Sequence, residues 1–259
     1  MILTVDVGLR NLAFCIGELN KEEKFDIHLW NVYNTLESDL INETCKSVQK
    51  NGKICSKKCL YKYQKGDETI YSCKKHFPKD IPIKKTNTIV QKKIESYLLQ
   101  DIASIVLKRV QNVFDNNKEL FLKLDKILIE LQPKINQKMK FVSHILYGKF
   151  VELLDINLEN TKKVEIRFVR ASQKLKAYTG PYIECKLKSK YSQRKWLSIQ
   201  YTIWFLENKT STQQYRKWND FYQSCPKKDD LSDVYLMCIN ALHGLPSKQT
   251  RSKKGKCIK

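Results

Sequence analysis

The chain has 259 residues, 42% of them hydrophobic and 10% aromatic, enough to bury a core and too apolar for a disordered polymer. Lysine and arginine number 48 against 27 acids, and the net charge of +21 is far more than solubility requires. Spread along the whole chain, that charge points to a nucleic acid laid across one face, with a membrane surface as runner-up; no apolar run reaches membrane length, the first residues read as a strand and not as a signal peptide, and no membrane partner is expected.

Ile2, Leu3, Val5 and Val7 form a short apolar run with one carboxylate, Asp6, inside it. Gly8 breaks the run before a second one, Leu12 to Ile16. This predicts two antiparallel strands joined by a tight turn, and a third strand over residues 25–32, where polar and apolar residues partly alternate. Residues 36–85 are rich in cysteine and lysine and poor in hydrophobic periodicity, as an inserted module would be. Thr88-x-x-Gln91 resembles a capping box, and Leu98, Ile102, Ile105, Val106, Val110 and Val113 then form one stripe of a long amphipathic helix.

Residues 125–130 read as a buried strand that ends in an acid, Glu130, and is stopped by Pro133. A helix is predicted over residues 137–154, with Met139, Val142, Ile145, Leu146 and Phe150 on one side, and a strand over residues 164–169. Residues 171–190 read as a lysine-rich loop around Gly180-Pro181, residues 191–206 as a helix, and residues 207–228 as a polar stretch. Asp229-Asp230-Leu-Ser-Asp233 opens a last helix that runs to about residue 242. The tail, residues 246–259, carries Arg251, Lys253, Lys254, Lys256 and Lys259 and is predicted to be disordered. The order of elements predicts an α/β fold, a mixed sheet flanked by helices, made of residues 1–35 and 86–245 around the insertion.

The chemistry is expected where acids end structured elements. A carboxylate in an apolar strand is costly unless compensated, which singles out Asp6 and Glu130. Asp230 and Asp233, three apart, share one face of the last helix. Acids at a helix start also complement the helix dipole, which suffices for Asp229 and accounts for Asp230 equally well, but it explains neither strand acid. If the first and fourth strands of the sheet are neighbours, four carboxylates converge. Without basic partners they would repel unless Mg²⁺ or Mn²⁺ sat between them, and two such ions suit phosphodiester hydrolysis.

Asp6-Val-Gly-Leu-Arg-Asn-Leu-Ala-Phe, Ile129-Glu130-Leu-Gln-Pro with Lys138-Met-Lys-Phe-Val-Ser-His-Ile-Leu-Tyr-Gly148, Tyr191-Ser-Gln-Arg-Lys195 and Lys227-Lys-Asp-Asp-Leu-Ser-Asp233 resemble the Holliday junction resolvases of poxviruses and related large DNA viruses. Those belong to the RuvC-like branch of the ribonuclease H-like superfamily. The resemblance covers the chain except roughly residues 36–85 and the tail. It implies a ribonuclease H-like five-stranded mixed sheet and a homodimer that makes paired, symmetrical incisions in four-way DNA junctions with two Mg²⁺ ions per active site. Its acidic positions fall on Asp6, Glu130, Asp230 and Asp233. Arg10, Lys138, Arg194, Lys195, Lys227 and Lys228 are the candidate contacts to the DNA backbone. Two symmetrical nicks need two active sites related by a two-fold axis, and the helix over residues 137–154 is one candidate interface, although its apolar side suits packing within the monomer better. The resemblance also implies action on viral DNA in the host cytoplasm or nucleus.

The insertion carries Cys45, Cys55, Cys59, Cys73 and His76, one more soft ligand than tetrahedral Zn²⁺ needs. Cys73-x-x-His76 has the spacing of a ligand knuckle, and Asn51-Gly52 offers a hairpin turn that would bring Cys45 and Cys55 together. Cys45, Cys55, Cys73 and His76 are the preferred ligands, with Cys59 as substitute. Unrelated thiols in a basic loop are the plainer alternative, but the insertion is too poor in apolar residues to fold on a core of its own, and a structural Zn²⁺ would explain its folding. The nine cysteines, five without paired spacing, suit a reducing intracellular location. His28, His144 and His243 lack acid or nucleophile partners nearby in sequence and read as core or surface residues.

The reading is therefore a crossover junction endodeoxyribonuclease. Its rivals are a nuclease for other branched DNA or RNA–DNA hybrids at the same site, a non-catalytic nucleic-acid-binding protein on the same fold, and a zinc-dependent binding module for RNA or protein on a resolvase-like scaffold.

Overall fold

The computed structural model describes residues 1–36, 43–89, 94–133, 135–158 and 162–243; the tail expected to be disordered lies outside them, as does Gln91. The chain divides into two compact units, Met1–Thr35 with Leu99–Lys259, and Leu36–Leu98.

The first unit is built on a five-stranded sheet. Strands β1 (Ile2–Val7), β2 (Asn11–Leu19) and β3 (Phe25–Asn34) form an antiparallel meander. Two further strands, numbered β6 (Lys126–Glu130) and β7 (Glu165–Val169) because the insertion contributes β4 and β5, run parallel to β1. The order across the sheet is β3-β2-β1-β6-β7. With helices packed on it, this is the five-stranded mixed sheet flanked by helices that the sequence led us to expect. The first turn is tight: a Cβ on Gly8 would lie 2.6 Å from the Asn11 carbonyl oxygen. At the bulge in β2 next to Ile16, a Cβ on Gly17 would strike the Phe25 ring at 2.4 Å, so both positions require glycine.

Side chains alternate across the sheet. Leu3, Val5, Val7, Leu12, Phe14 and Ile16 are buried, and the face that Phe14 presents is covered by α1 (Leu99–Asn116), α2 (Lys118–Leu122) and α3 (Gln137–Leu158), where Phe14, Phe121 and Phe150 pack ring to ring. The opposite face carries Ile2, Ala13, Cys15, Ile27, Trp30 and Leu128, packed on α4 (Lys190–Lys209), α5 (Thr212–Ser224) and α6 (Lys228–Leu242) through Phe205, Trp218, Tyr222, Val234 and Tyr235. The apolar side of α3, with Val142, Leu146, Phe150, Leu153 and Leu154 buried, is used inside the monomer.

Two elements were missed by periodicity. Helix α5 falls in the stretch read as polar, and the loop over residues 171–190 contains a 3₁₀ segment, Ala171–Ala177. The capping-box reading of Thr88 is corrected. Thr88 is extended and bridges to Tyr61, while α1 begins only at Leu99.

The second unit holds the hairpin β4 (Tyr61–Lys65) and β5 (Glu68–Ser72), turned at Gly66 with φ +63°. A second turn at Asn51-Gly52 is closed by a 2.9 Å bond from the Gly52 amide to the Gln49 carbonyl and brings residues 44–48 against residues 54–58. Among its described residues the buried apolar groups are few: Leu36, four cysteines, Phe77 and Ile94.

Candidate active site

Period-two alternation places the strand acids. Ile2 and Thr4 face α6, so Asp6 does as well; Leu128 faces α6, and so does Glu130. Val5 pairs with Ile129 across the parallel β1–β6 ladder, and Asp6 and Glu130 are the next residue on each strand. The helix is locked over them by buried side chains. The Thr4 hydroxyl donates to the Val234 carbonyl at 2.8 Å, the Trp30 indole donates to the Leu231 carbonyl at 2.9 Å, and Tyr222 and Ser232 share a hydrogen bond of 2.7 Å. This fixes the first turns of α6, and with them Asp233.

Asp6, Glu130 and Asp233 thus come together, and a fourth group that the sequence reading missed stands among them. Lys174, from the 3₁₀ segment after β7, makes a salt bridge to Asp233 and lies 3.5 Å from Glu130 Oε1. The expectation that the acids lack a basic partner is corrected. Nothing in the run Gln173-Lys-Leu-Lys176 marks Lys174 out from Lys176; only the placement of β7 beside β6 does.

Burial raises the Asp6 pKa well above the usual carboxylate range, and its hydrogen bond and repulsion with Glu130, then the Asp233 charge, push in the same direction. Glu130 is also buried, but its hydrogen bonds with Asp6 and Lys174 outweigh burial and lower it. The pair's environment thus favours the protonated form for Asp6 and the ionised form for Glu130. Asp233 is raised by burial, against the pull of Lys174 and a hydrogen bond with Ser198. Lys174 stays charged: burial opposes its charge, but the fields of Asp233, Glu130 and Asp6 more than compensate.

Asp230 stands aside from this trio. Burial and the neighbouring Asp229 charge raise its pKa, and it hydrogen-bonds with Asn11, at the start of β2. Burial opposes the charge of Asp229, but its ion pair with Lys195 holds its pKa low. Lys195, expected on the DNA, is therefore engaged with an acid of α6. Arg10, Arg194 and Lys227 are exposed, Lys138 is half-buried at the start of α3, and Lys228 donates to Gln223 at 3.0 Å.

Three carboxyl groups around one ammonium leave an excess of hard oxygen donors with too little countercharge. That donor set fits a divalent cation such as Mg²⁺ or Mn²⁺. Asp6, Glu130 and Asp233 would hold it, with Asp230 the nearest further acid on the same helix.

In the second unit, Cys45, Cys55, Cys73 and His76 form a compact ligand group, all four donor atoms lying within 4.8 Å of one another. His76 Nδ1 is 3.4 Å from Cys45 Sγ and 3.5 Å from Cys73 Sγ, and the Cys55 and Cys73 sulfurs are 3.9 Å apart. Ligands at tetrahedral corners around Zn²⁺ are separated by about 3.6 Å for sulfur to nitrogen and about 3.8 Å for sulfur to sulfur. The same sulfur distance is far beyond a disulfide bond. Burial pushes the Cys45 thiol up, but hydrogen bonds from Ser47, the backbone of Cys73 and His76 bring it down to about 6, close to the thiolate a metal requires. Cys59 is buried beside the group without joining it. The cluster can hold zinc.

Among the described residues no helix is long and apolar enough to cross a membrane. No family model matches the chain. A relative, the uncharacterised protein L451 of Acanthamoeba polyphaga mimivirus, is 30% identical over 214 residues, which cover 75% of this chain and 48% of that protein. The chain therefore spans about half the length of the relative it matches. Among solved structures it is similar to the yeast mitochondrial Holliday junction resolvase Ydc2, at 15% identity and TM-score 0.44, covering 93% of this chain and 78% of that one. It is also similar to Thermus thermophilus RuvC in complex with a Holliday junction substrate, at 8% identity and TM-score 0.43, covering 94% of each chain.

Proposed function

We propose that the protein is a metal-dependent, structure-specific endonuclease that resolves four-way DNA junctions as a homodimer, in the manner of the poxvirus-type resolvases its motifs resemble. The observation that carries this reading is the convergence of Asp6, Glu130 and Asp233 on one face of the sheet, in a chain whose net charge is +21.

Bound divalent ions would supply an activated water and stabilise the departing 3′ oxygen of a phosphodiester. The chain's own groups do the rest. Asp6 and Glu130, fixed on adjacent strands, present carboxylate oxygens whose position does not relax when substrate arrives. A cation bound there would favour the ionised form of Asp6, its proton passing to solvent. Lys174 favours the ionised forms of Glu130 and Asp233 and can turn its ammonium toward a phosphate oxygen once those acids are engaged elsewhere. The pair Lys195–Asp229 anchors the start of α4 to α6, leaving exposed Arg194 beside it free of that duty for the DNA backbone.

The test is incubation with a labelled immobile four-way junction and a matched linear duplex, with Mg²⁺ or with no divalent ion. Symmetrical nicks in the junction alone, only with Mg²⁺, are expected, and Asp6→Asn or Glu130→Gln should lower the rate by about 10³-fold while junction binding persists. Near-wild-type cleavage by either variant would remove that residue from the site. Tight binding without cleavage under any divalent ion would favour a non-catalytic binding protein, and equal cleavage of the duplex would move the substrate elsewhere.

A further inference from the structure

The insertion's metal ligands also place its charge. Each of two ligand-bearing segments, Cys55-Ser-Lys57-Lys58-Cys59 and Cys73-Lys74-Lys75-His76, encloses a pair of adjacent lysines. The segments are tied to the cluster through their backbones: the Cys45 amide donates to the Lys57 carbonyl at 2.8 Å and the His76 amide to the Cys73 carbonyl at 3.1 Å. The two pairs meet. Lys57, Lys58, Lys74 and Lys75, with Leu60 and Cys73, line one open hollow of about 380 Å³.

All four lysines are exposed, and among the described residues none pairs with a carboxylate. Residues 43–89 carry twelve lysines against four acids. Four lysines lining one hollow concentrate positive charge there, which an anion bound between them would offset. Lysine stems can lie along the apolar lining while their flexible heads reach an anion bound there.

We propose that this hollow is a phosphate-binding site for a nucleic-acid backbone, shaped by the Cys45, Cys55, Cys73 and His76 cluster. A phosphodiester chain fits better than a small metabolite, because the hollow is open and lined by point charges with no acceptor to read a ligand's other groups. A nucleic acid fits better than a lipid headgroup, because the positive charge is spread along the entire chain and matches a long polyanion. The site acts in binding and does not depend on cleavage by the carboxylate centre.

The experiment uses the full chain, as purified with zinc and without added divalent ions. Binding to the labelled junction is followed over a salt series for wild type and for the variant with Lys57, Lys58, Lys74 and Lys75 all replaced by Gln. A control variant carries Lys46, Lys50, Lys62 and Lys65→Gln, the same charge change in the same unit. Each phosphate contact contributes about 0.9 to the slope of log affinity against log salt, so the hollow variant should lose about 3.6 from that slope and the control less than about 1. Lys→Arg at the four positions should restore the slope, and ejecting zinc from wild type should reproduce the hollow variant's loss. One zinc per chain in both variants shows that each has folded. An unchanged slope overturns the proposal, as does an equal fall in both variants, which would mean diffuse charge. A defect confined to binding phosphatidylserine vesicles also overturns it, in favour of a lipid surface. Because the readout is binding, a failed cleavage assay leaves the proposal standing.

Discussion

The carboxylate cluster and the cysteine–histidine cluster both gather ligand atoms, yet they are supported in opposite ways. Asp6, Glu130 and Asp233 stand on two central strands and a helix, over a core of Trp30, Phe205, Tyr222 and Tyr235, and Lys174 supplies part of the countercharge from within. The sheet and its packed helix position that site. The insertion buries four cysteines, Leu36, Phe77 and Ile94, and little else that is apolar. There the ligands are the core. A rigid fold can hold unfavourable charge in waiting, whereas a small module so poor in apolar groups would take its shape from a bound metal.

Removing zinc is therefore the strongest way to break the comparison. Structural zinc contributes on the order of 10 kcal/mol to such modules. A zinc chelator should abolish hydrogen-exchange protection across residues 43–89 and leave β1, β2 and β6 protected. Retained protection in the insertion would show that the metal does not build it. Cys73→Ser should act like the chelator, and Cys59→Ser should not, because its sulfur lies outside the ligand group.

The next effect concerns the internal countercharge. Lys174→Met leaves two buried carboxylates without their partner, and removing one member of a buried ion pair costs about 3–5 kcal/mol. Urea unfolding of the magnesium-free protein should show that loss, and added Mg²⁺ should recover part of it. Lys176→Met, two residues on and exposed, should change stability little. Equal losses from both lysines would refute the assignment of Lys174 as the ion that steadies the trio.

The two regions also differed in how legible they were. Asp6 and Glu130 could be singled out from sequence because one lies inside an apolar strand and the other ends one, but that their strands are neighbours entered only as a condition, which the β1–β6 ladder meets. The Cys45 to Cys55 gap became intelligible through Asn51-Gly52, a local turn signal, and Gly52 indeed sits at φ +76°. Long-range charge was not legible. Lys174 and Lys195 reach their partners through packing of separate elements, and no spacing rule connects residue 174 to 233 or 195 to 229. Helix α5 was hidden by its polar composition, although Trp218 and Tyr222, four apart, are its buried residues and could have signalled it. Thr88 shows the converse failure. A capping pattern was present, but its backbone amide neighbour Ile89 bonds to the Leu60 carbonyl at 2.9 Å, so tertiary pairing took the segment that local preference assigned to a helix.

The smallest predicted effect tests whether the carboxylate site is strained before its cation arrives. Asp6 binds its proton more tightly folded than unfolded, because burial and Glu130 oppose its charge. Its contribution to stability is full below the ordinary aspartate pKa of about 4 and is lost as pH rises through its higher folded value. Glu130, with its lowered pKa, works in the opposite sense, stabilising at higher pH and losing that contribution only as pH falls through its folded value. Asp6→Asn removes the proton-dependent penalty, while its amide can still donate to Glu130. In magnesium-free buffer that leaves zinc bound, the variant should melt about 2–4 °C above wild type near neutral pH, with the gap closing toward pH 4. Saturating Mg²⁺ should reverse the order, because the variant has lost a ligand. A gap that ignores both pH and Mg²⁺ would mean that Asp6 is an ordinary satisfied core acid, and the contrast between a site held in strain by its fold and a fold held by its metal would fail at its first member.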